Sequence, residues 1–153
     1  MKCRPMWIAG VVLFAASCKR PCDLTNVIVG RAGVGAVDCG HVQLHADPDT
    51  TNACVIRAFQ AGKPFKALYE RMGQDSHAVD GISSAADGTV TKFWYDGDTG
   101  GSGGDGNPVI GAQVCEGPTP HAATVGEPTE TRPPLDCTKM RDLGRICARD
   151  GAA

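Results

Sequence analysis

Hydrophobic and polar residues alternate along the middle of the chain, and an alternation of period two is typical of a β-strand with one buried face. From Phe65 to Glu70 the pattern indicates a strand. Weaker alternation and runs of β-branched or aromatic residues predict three more strands, at residues 77–84, 89–95 and 109–115. Asp87-Gly88 suits a hairpin turn between two of them, because glycine accepts a positive φ.

A segment with helical periodicity precedes these strands. Asp47-Pro48-Asp49-Thr50 suits a helix start, since proline and short polar residues are favoured there. The apolar positions that follow share one face at helical spacing: Cys54, Val55, Ala58 and Phe59. Gly62 and Pro64 then end the helix.

Two segments upstream of the helix are predicted to be extended. Val27-Ile28-Val29 is a β-branched run, and residues 39–45 alternate between polar and apolar positions. Gly30, Gly33 and Gly35 lack the G-x-G-x-x-G spacing of a dinucleotide-binding turn, so we interpret them as a loop.

One helix followed by four closely linked strands predicts an α+β fold. We expect one helix packed on a four-stranded antiparallel meander, stabilised by disulfides, with a core domain over residues 37–117. Five prolines between residues 118 and 134 predict an extended, loosely packed segment over 118–135. A cysteine-containing tail is expected over 136–153.

The first 17 residues have the pattern of an export signal. Lys2 and Arg4 give a positive start, Trp7 to Ala16 is an apolar run of ten residues, and small residues precede Cys18. A membrane-spanning helix needs ~20 apolar residues, and Lys19 closes this run too early. Residues 1–17 are therefore predicted to be a signal peptide, with residues 18–36 as a tether.

The stretch Leu13-Phe14-Ala15-Ala16-Ser17-Cys18 resembles the lipobox of bacterial lipoproteins, in which the cysteine is lipidated and becomes the first residue after cleavage. Ala15 departs from the family pattern, which usually has Leu or another aliphatic residue there. The resemblance implies an acylated Cys18 that holds the protein on a membrane; the alternative is ordinary cleavage before Cys18. Lys19 is not the Asp that retains some lipoproteins at the inner membrane, so the resemblance favours the outer membrane of a bacterial envelope.

The cysteine count fits this anchor. Of eight cysteines, Cys3 lies in the predicted signal peptide and Cys18 in the lipobox. The remaining six suit disulfides in an oxidising compartment: Cys22, Cys39, Cys54, Cys115, Cys137 and Cys147. Six cysteines allow fifteen pairings. We expect Cys39 to pair with Cys54, tying the helix start to the preceding strand, and Cys115 to pair with Cys137 or Cys147.

The whole layout resembles small lipoproteins of bacteria with large secretomes. The shared features are the lipobox, Asp38-Cys39-Gly40, a helix bearing Cys54, Gly62-Lys63-Pro64-Phe65, Asp75-Ser76, and a strand ending in Tyr95-Asp96 before a glycine loop and Cys115. This resemblance implies an envelope location and brings no assigned activity.

Charge excludes some classes of partner. Removing residues 1–17 takes away two basic residues and no acid, so the formal net charge falls from −2 to −4. A mildly acidic domain does not suit nucleic acid, which requires a basic face, or electrostatic adhesion to anionic lipids.

The segment from Asp96 to Asn107, DGDTGGSGGDGN, is the strongest candidate for a metal site. Asp96, Asp98 and Asp105 could offer oxygen ligands to Ca²⁺. An EF-hand loop needs an oxygen side chain at its fifth position and Glu at its twelfth, but this segment has Gly100 and Asn107 there. We therefore favour a flexible hairpin loop over a calcium site.

Other candidates for chemistry are weaker. His41 and His45 lie in a predicted strand, where they stand ~13 Å apart, so we do not expect them to share a metal. Asp75-Ser76-His77 has the residue types of a hydrolase triad, but adjacent residues in a turn do not easily converge. The aromatic side chains of Phe65, Tyr69 and Trp94 are expected in the core rather than on a ligand platform.

The sequence thus favours a membrane-anchored envelope protein without catalytic activity that binds a protein or a surface component. The alternative is calcium or small-ligand binding through residues 96–107. A hydrolase is the third hypothesis, and it requires catalytic residues drawn from distant loops.

Overall fold

The computed structural model describes residues 23–73, 77–97, 108–121 and 132–148, with residues 147 and 148 described by their backbone alone. These residues form two helices and six strands: α1 Leu24–Ala32, β1 Val37–Val42, α2 Asp49–Gln60, β2 Phe65–Met72, β3 His77–Ser84, β4 Val90–Asp96, β5 Val109–Pro120 and β6 Leu135–Ala148. The strands make one sheet in the order β1-β2-β3-β4-β5-β6. β1 runs parallel to β2, and the other neighbouring pairs are antiparallel.

The predicted fold class is wrong, because the sheet is mixed, has six strands instead of four, and carries two helices. The expected helix is α2, and the four expected strands lie at β2 to β5. β1 precedes α2 and pairs parallel with β2, so α2 is the crossover connection that a parallel pair needs. The predicted meander runs from β2 to β5, so it omits β1 and β6, the two edge strands of the sheet.

Helix α1 occupies the place of the strand predicted at Val27-Ile28-Val29, inside the expected tether. Asp23 caps the helix, and its carboxylate accepts hydrogen bonds of 2.8 and 3.3 Å from two backbone N–H groups of the first turn. Leu24, Ile28 and Ala32 recur every four residues and are buried. The cap and this buried stripe outweigh the strand propensity of the β-branched run.

The two faces of the sheet carry separate cores, because alternate residues of each strand point to opposite sides. Helix α1 covers β2, β3 and β4 on one face. Its core holds Leu24, Ile28, Val79, Phe93, Ile110 and Ala112. Helix α2 packs on β1 and β2 on the other face. That core is larger, with Val42, Val55, Ala58, Phe65, Tyr69, Ile82, Val90 and Leu135 among its members.

Strand β6 and the end of β5 correct the expectation of a loosely packed segment followed by a tail. β5 continues to Pro120, and β6 pairs with it from Leu135 to Ala148. Leu135 is completely buried in the α2-side core. Much of β6 is exposed, so its sequence lacks the alternation that marks a half-buried strand. As an edge strand it also accepts irregularity, such as the positive φ of 74° at Gly144.

Among the described residues, two disulfides tie a strand to a neighbouring element. The predicted bond between Cys39 and Cys54 is confirmed and ties β1 to α2, with a Cα–Cα distance of 5.4 Å. Cys115 bonds to Cys137, one of its two predicted partners, and ties β5 to β6. In a chain-entropy description, closing a loop of 15 residues, the separation of the first pair, stabilises the fold by ~3 kcal/mol. Cys18, Cys22 and the Cys147 side chain lie outside the described residues.

Candidate functional site

Trp94 is the exception among the aromatic side chains expected in the core. Phe65 and Tyr69 are 0% exposed, as predicted, whereas Trp94 is 37% exposed and belongs to neither core. An exposed fraction of this size leaves ~90 Å² of a side chain whose full area is about 250 Å² in contact with water. An exposed aromatic side chain with polar residues near it is a candidate contact for a ligand.

The alternation of β4 places the indole on the α2 side of the sheet. Its neighbour Phe93 is buried in the α1-side core, so Trp94 points to the opposite face. Helix α2 packs against β1 and β2, two strands away from β4. The indole therefore lies beside the helix rather than beneath it.

Gly111 forms the floor under the indole. It is the direct cross-strand partner of Trp94 on β5. A Cβ atom added at Gly111 would lie 2.1 Å from Cε2 of Trp94 and 2.3 Å from its Cζ2 and Nε1 atoms. Any side chain larger than hydrogen would therefore collide with the ring. The missing side chain lets the indole lie against the backbone of β5.

Charged and polar residues occupy neighbouring register positions on the same face of the sheet. Asp80 lies directly across from Trp94 on β3, and its carboxylate pairs with the guanidinium of Arg71 at 2.8 Å. Lys92 lies two residues before Trp94 and is paired in register with Gln113. We call Trp94, with Gly111 beneath it and Arg71, Asp80, Lys92 and Gln113 around it, the Trp94 platform.

Positive and negative charges are mixed in this platform. Burial lowers the pKa of Lys92, while the nearby carboxylates of Asp136 and Asp80 oppose that shift and Arg132 adds to it. The guanidinium of Arg71 is already matched by Asp80. The surroundings of the indole therefore have donors and acceptors without a strong field of one sign.

A concave region lies on the other face, between α1 and the strands β1 and β2. This groove has a volume of about 280 Å³, and its polar lining includes Thr25, Asp38, His41 and Lys66. Asp38 and Lys66 form an ion pair, and the hydrogen bond from Lys66 holds the pKa of Asp38 below its usual value. The principal charges of the groove therefore already satisfy each other.

Glu70 brings together two histidines beside this groove. Its Oε1 atom lies 3.3 Å from Nε2 of His41 and 3.7 Å from Nε2 of His77. Its Oε2 atom accepts a hydrogen bond from the backbone N–H of Leu44 at 3.1 Å. Sequence reasoning missed this cluster, because its members come from three strands and only the parallel pairing of β1 and β2 places His41 next to Glu70.

The remaining candidates from the sequence are His45 and the segment Asp75-Ser76-His77. His45 lies beyond the end of β1 in a left-handed backbone conformation, with φ of 63°. Asp75 and Ser76 lie outside the described residues. Of the three residues of the hypothetical triad, the structure therefore describes only His77, which lies in β3. Among the described residues, no group of three or more His, Cys, Asp or Glu side chains has an arrangement that could hold a metal ion.

Only part of the candidate calcium site, residues 96–107, lies within the described residues. Asp96 is the last residue of β4, whereas Asp98 and Asp105 lie outside them. Calcium binding by residues 96–107 stays a prediction.

Comparisons with protein-family models, curated proteins and solved structures found no match for this chain. Neither α1 nor α2, the helices of the described part of the chain, is long and apolar enough to cross a membrane.

Proposed function

We propose that this protein is an exported binding module, held on a bacterial membrane by a lipid on Cys18, that recognises a component of the cell envelope through the Trp94 platform. No catalytic step is part of this proposal. The exposed indole over Gly111 is the observation that carries it.

Export is supported by the signal-like residues 1–17, by the lipobox and by the disulfides. The bonds Cys39–Cys54 and Cys115–Cys137 both tie strands of the sheet to neighbouring elements. Such structural disulfides form and persist in oxidising compartments outside the cytoplasm.

Binding is supported by the kinds of side chain that form the platform. Buried aromatic side chains contribute to stability, but the exposed part of Trp94 adds little and leaves apolar surface in water. Ligand sites typically combine such an aromatic surface with a few polar groups that orient the ligand. Arg71, Asp80 and Gln113 are placed to supply them.

The anchor is tested by intact-mass measurement of the protein purified from its native membrane. The expected product begins at Cys18 and carries the added mass of acyl chains. A product that retains residues 1–17, or that lacks any acyl mass, would contradict the anchor.

The binding surface is tested by photo-crosslinking in intact cells. A benzophenone amino acid at Gln113 should form adducts with an envelope component, and Trp94→Ala in the same chain should abolish them. The matched control places the probe at Met72, which is 73% exposed and lies on the opposite face of the sheet. Equal adduct yields at the two positions would contradict the proposed surface.

A further inference from the structure

The chemistry around Trp94 narrows the class of ligand. The indole offers a flat π surface with partial negative charge on its face. Gly111 lies under the ring, so the indole is positioned before any ligand arrives. A ligand that matches this surface has a flat, apolar face with slightly positive hydrogen atoms.

The polar groups near the indole narrow the class of ligand further. They include hydrogen-bond donors and acceptors, namely the Arg71 and Asp80 pair, the amide of Gln113 and the amine of Lys92. A ligand that stacks on Trp94 should therefore have hydroxyl or amide groups around its edge.

The balance of charge disfavours ionic ligands. A cation over the indole face would gain a cation–π interaction, but Lys92 lies on the same face and repels it, and the ion pair with Arg71 reduces the attraction that Asp80 would offer. An anion would meet Asp80 beside the ring and Asp136 near Lys92. A ligand without net charge avoids both costs.

Building on the binding function proposed above, we propose that the Trp94 platform binds a neutral saccharide. One pyranose ring stacks its face of axial C–H bonds on the indole. Its hydroxyl groups exchange hydrogen bonds with Asp80, Arg71 and Gln113. The binding is noncovalent, and the sugar is unchanged.

The test uses the fluorescence of Trp94. The chain has two tryptophans, Trp7 and Trp94, so Trp7→Phe makes Trp94 the sole reporter whether or not the signal peptide is removed. The full chain is purified in a zwitterionic detergent, because detergents with sugar head groups would compete. It is titrated with oligosaccharides of β-linked glucose, α-linked glucose and N-acetylglucosamine to about 10 mM, tenfold above a dissociation constant of ~1 mM.

At least one of these sugars should shift the Trp94 emission in a saturable way. Binding measured by calorimetry should weaken at least about tenfold in Trp94→Ala, a loss typical of a central aromatic contact. Met72→Ala removes an exposed apolar side chain from the opposite face and should leave the affinity unchanged. An unchanged affinity in Trp94→Ala, or no emission change with any sugar, would overturn the saccharide proposal.

The crosslinking experiment shows whether a negative sugar titration overturns only the saccharide proposal or the proposed binding function as well. Adducts at Gln113 that depend on Trp94 and contain protein, with no sugar binding, would overturn the saccharide and leave a protein-binding module. Absence of adducts together with absence of sugar binding would overturn both.

Discussion

Replacing Gly111 with alanine should move the Trp94 indole without unfolding the protein. The added Cβ would lie 2.1 Å from Cε2 of Trp94, well inside van der Waals contact. Gly111 is not among the glycines with positive φ, so its backbone conformation accepts alanine. The strain therefore falls on the indole, which can rotate toward solvent because 37% of it is already exposed.

The expected size of the effect follows from this freedom. Overpacking a rigid core costs about 1–3 kcal/mol. Because Trp94 can move away, we expect the lower end of that range, ~1 kcal/mol of unfolding free energy. The loss in free energy of sugar binding should exceed the loss in free energy of unfolding, because the variant loses both the close packing over residue 111 and the position of the aromatic face.

The assay compares chains that carry Trp7→Phe, with and without Gly111→Ala, by emission wavelength, acrylamide quenching and denaturant unfolding. The variant should show red-shifted emission and stronger quenching. Gly30→Ala is the matched control, because an added Cβ at this α1 position meets no atom within 4 Å. It should stabilise the protein by up to ~1 kcal/mol through helix propensity, with unchanged emission. Unaltered emission and quenching in Gly111→Ala would refute the described placement of the indole.

Three further predictions concern the rest of the fold. Burial raises the pKa of Tyr69, so the ionised form is disfavoured in the folded state and stability should decline as pH rises above ~10, the usual tyrosine value. Tyr69→Phe should remove this decline in denaturant titrations and cost ~1 kcal/mol at neutral pH through the lost hydrogen bond to α2. Lys66→Met should lower stability at pH 7 by less than about 1 kcal/mol, because Asp38 is largely exposed. Since Lys66 depresses the pKa of Asp38, this difference should shrink as pH falls below ~4. A stability difference that stays the same at low pH would show that it does not come from the ion pair. Gly81→Ala would place its Cβ 2.3 Å from Cδ1 of Ile28; hydrogen exchange should then become faster in α1, and unchanged exchange would contradict the docking of that helix.

Local patterns predicted the elements that have one buried face. β2 alternates because Phe65 and Tyr69 point into the α2-side core while Lys66 and Glu70 point away. Helix α2 was predicted from its start residues and from the stripe around Val55 and Ala58. In these elements the sequence period and the tertiary burial agree.

The errors have different physical causes. The β-branched run Val27-Ile28-Val29 predicts a strand, but the cap at Asp23 and the burial of Leu24, Ile28 and Ala32 along one face stabilise helix α1 instead. β6 was missed because an edge strand with two solvated sides shows little periodicity. For Trp94, alternation assigns a face of the sheet, but whether a helix covers that part of the face depends on tertiary packing.

The most direct test of the central claim is the yield of photo-crosslinked adducts at Gln113 in intact cells, compared with the yield at Met72. If the Trp94 platform is the binding surface of an envelope module, Gln113 should give adducts that Met72 does not, and Trp94→Ala should remove them. Adducts that persist without the indole, or equal yields from both faces of the sheet, would contradict the account.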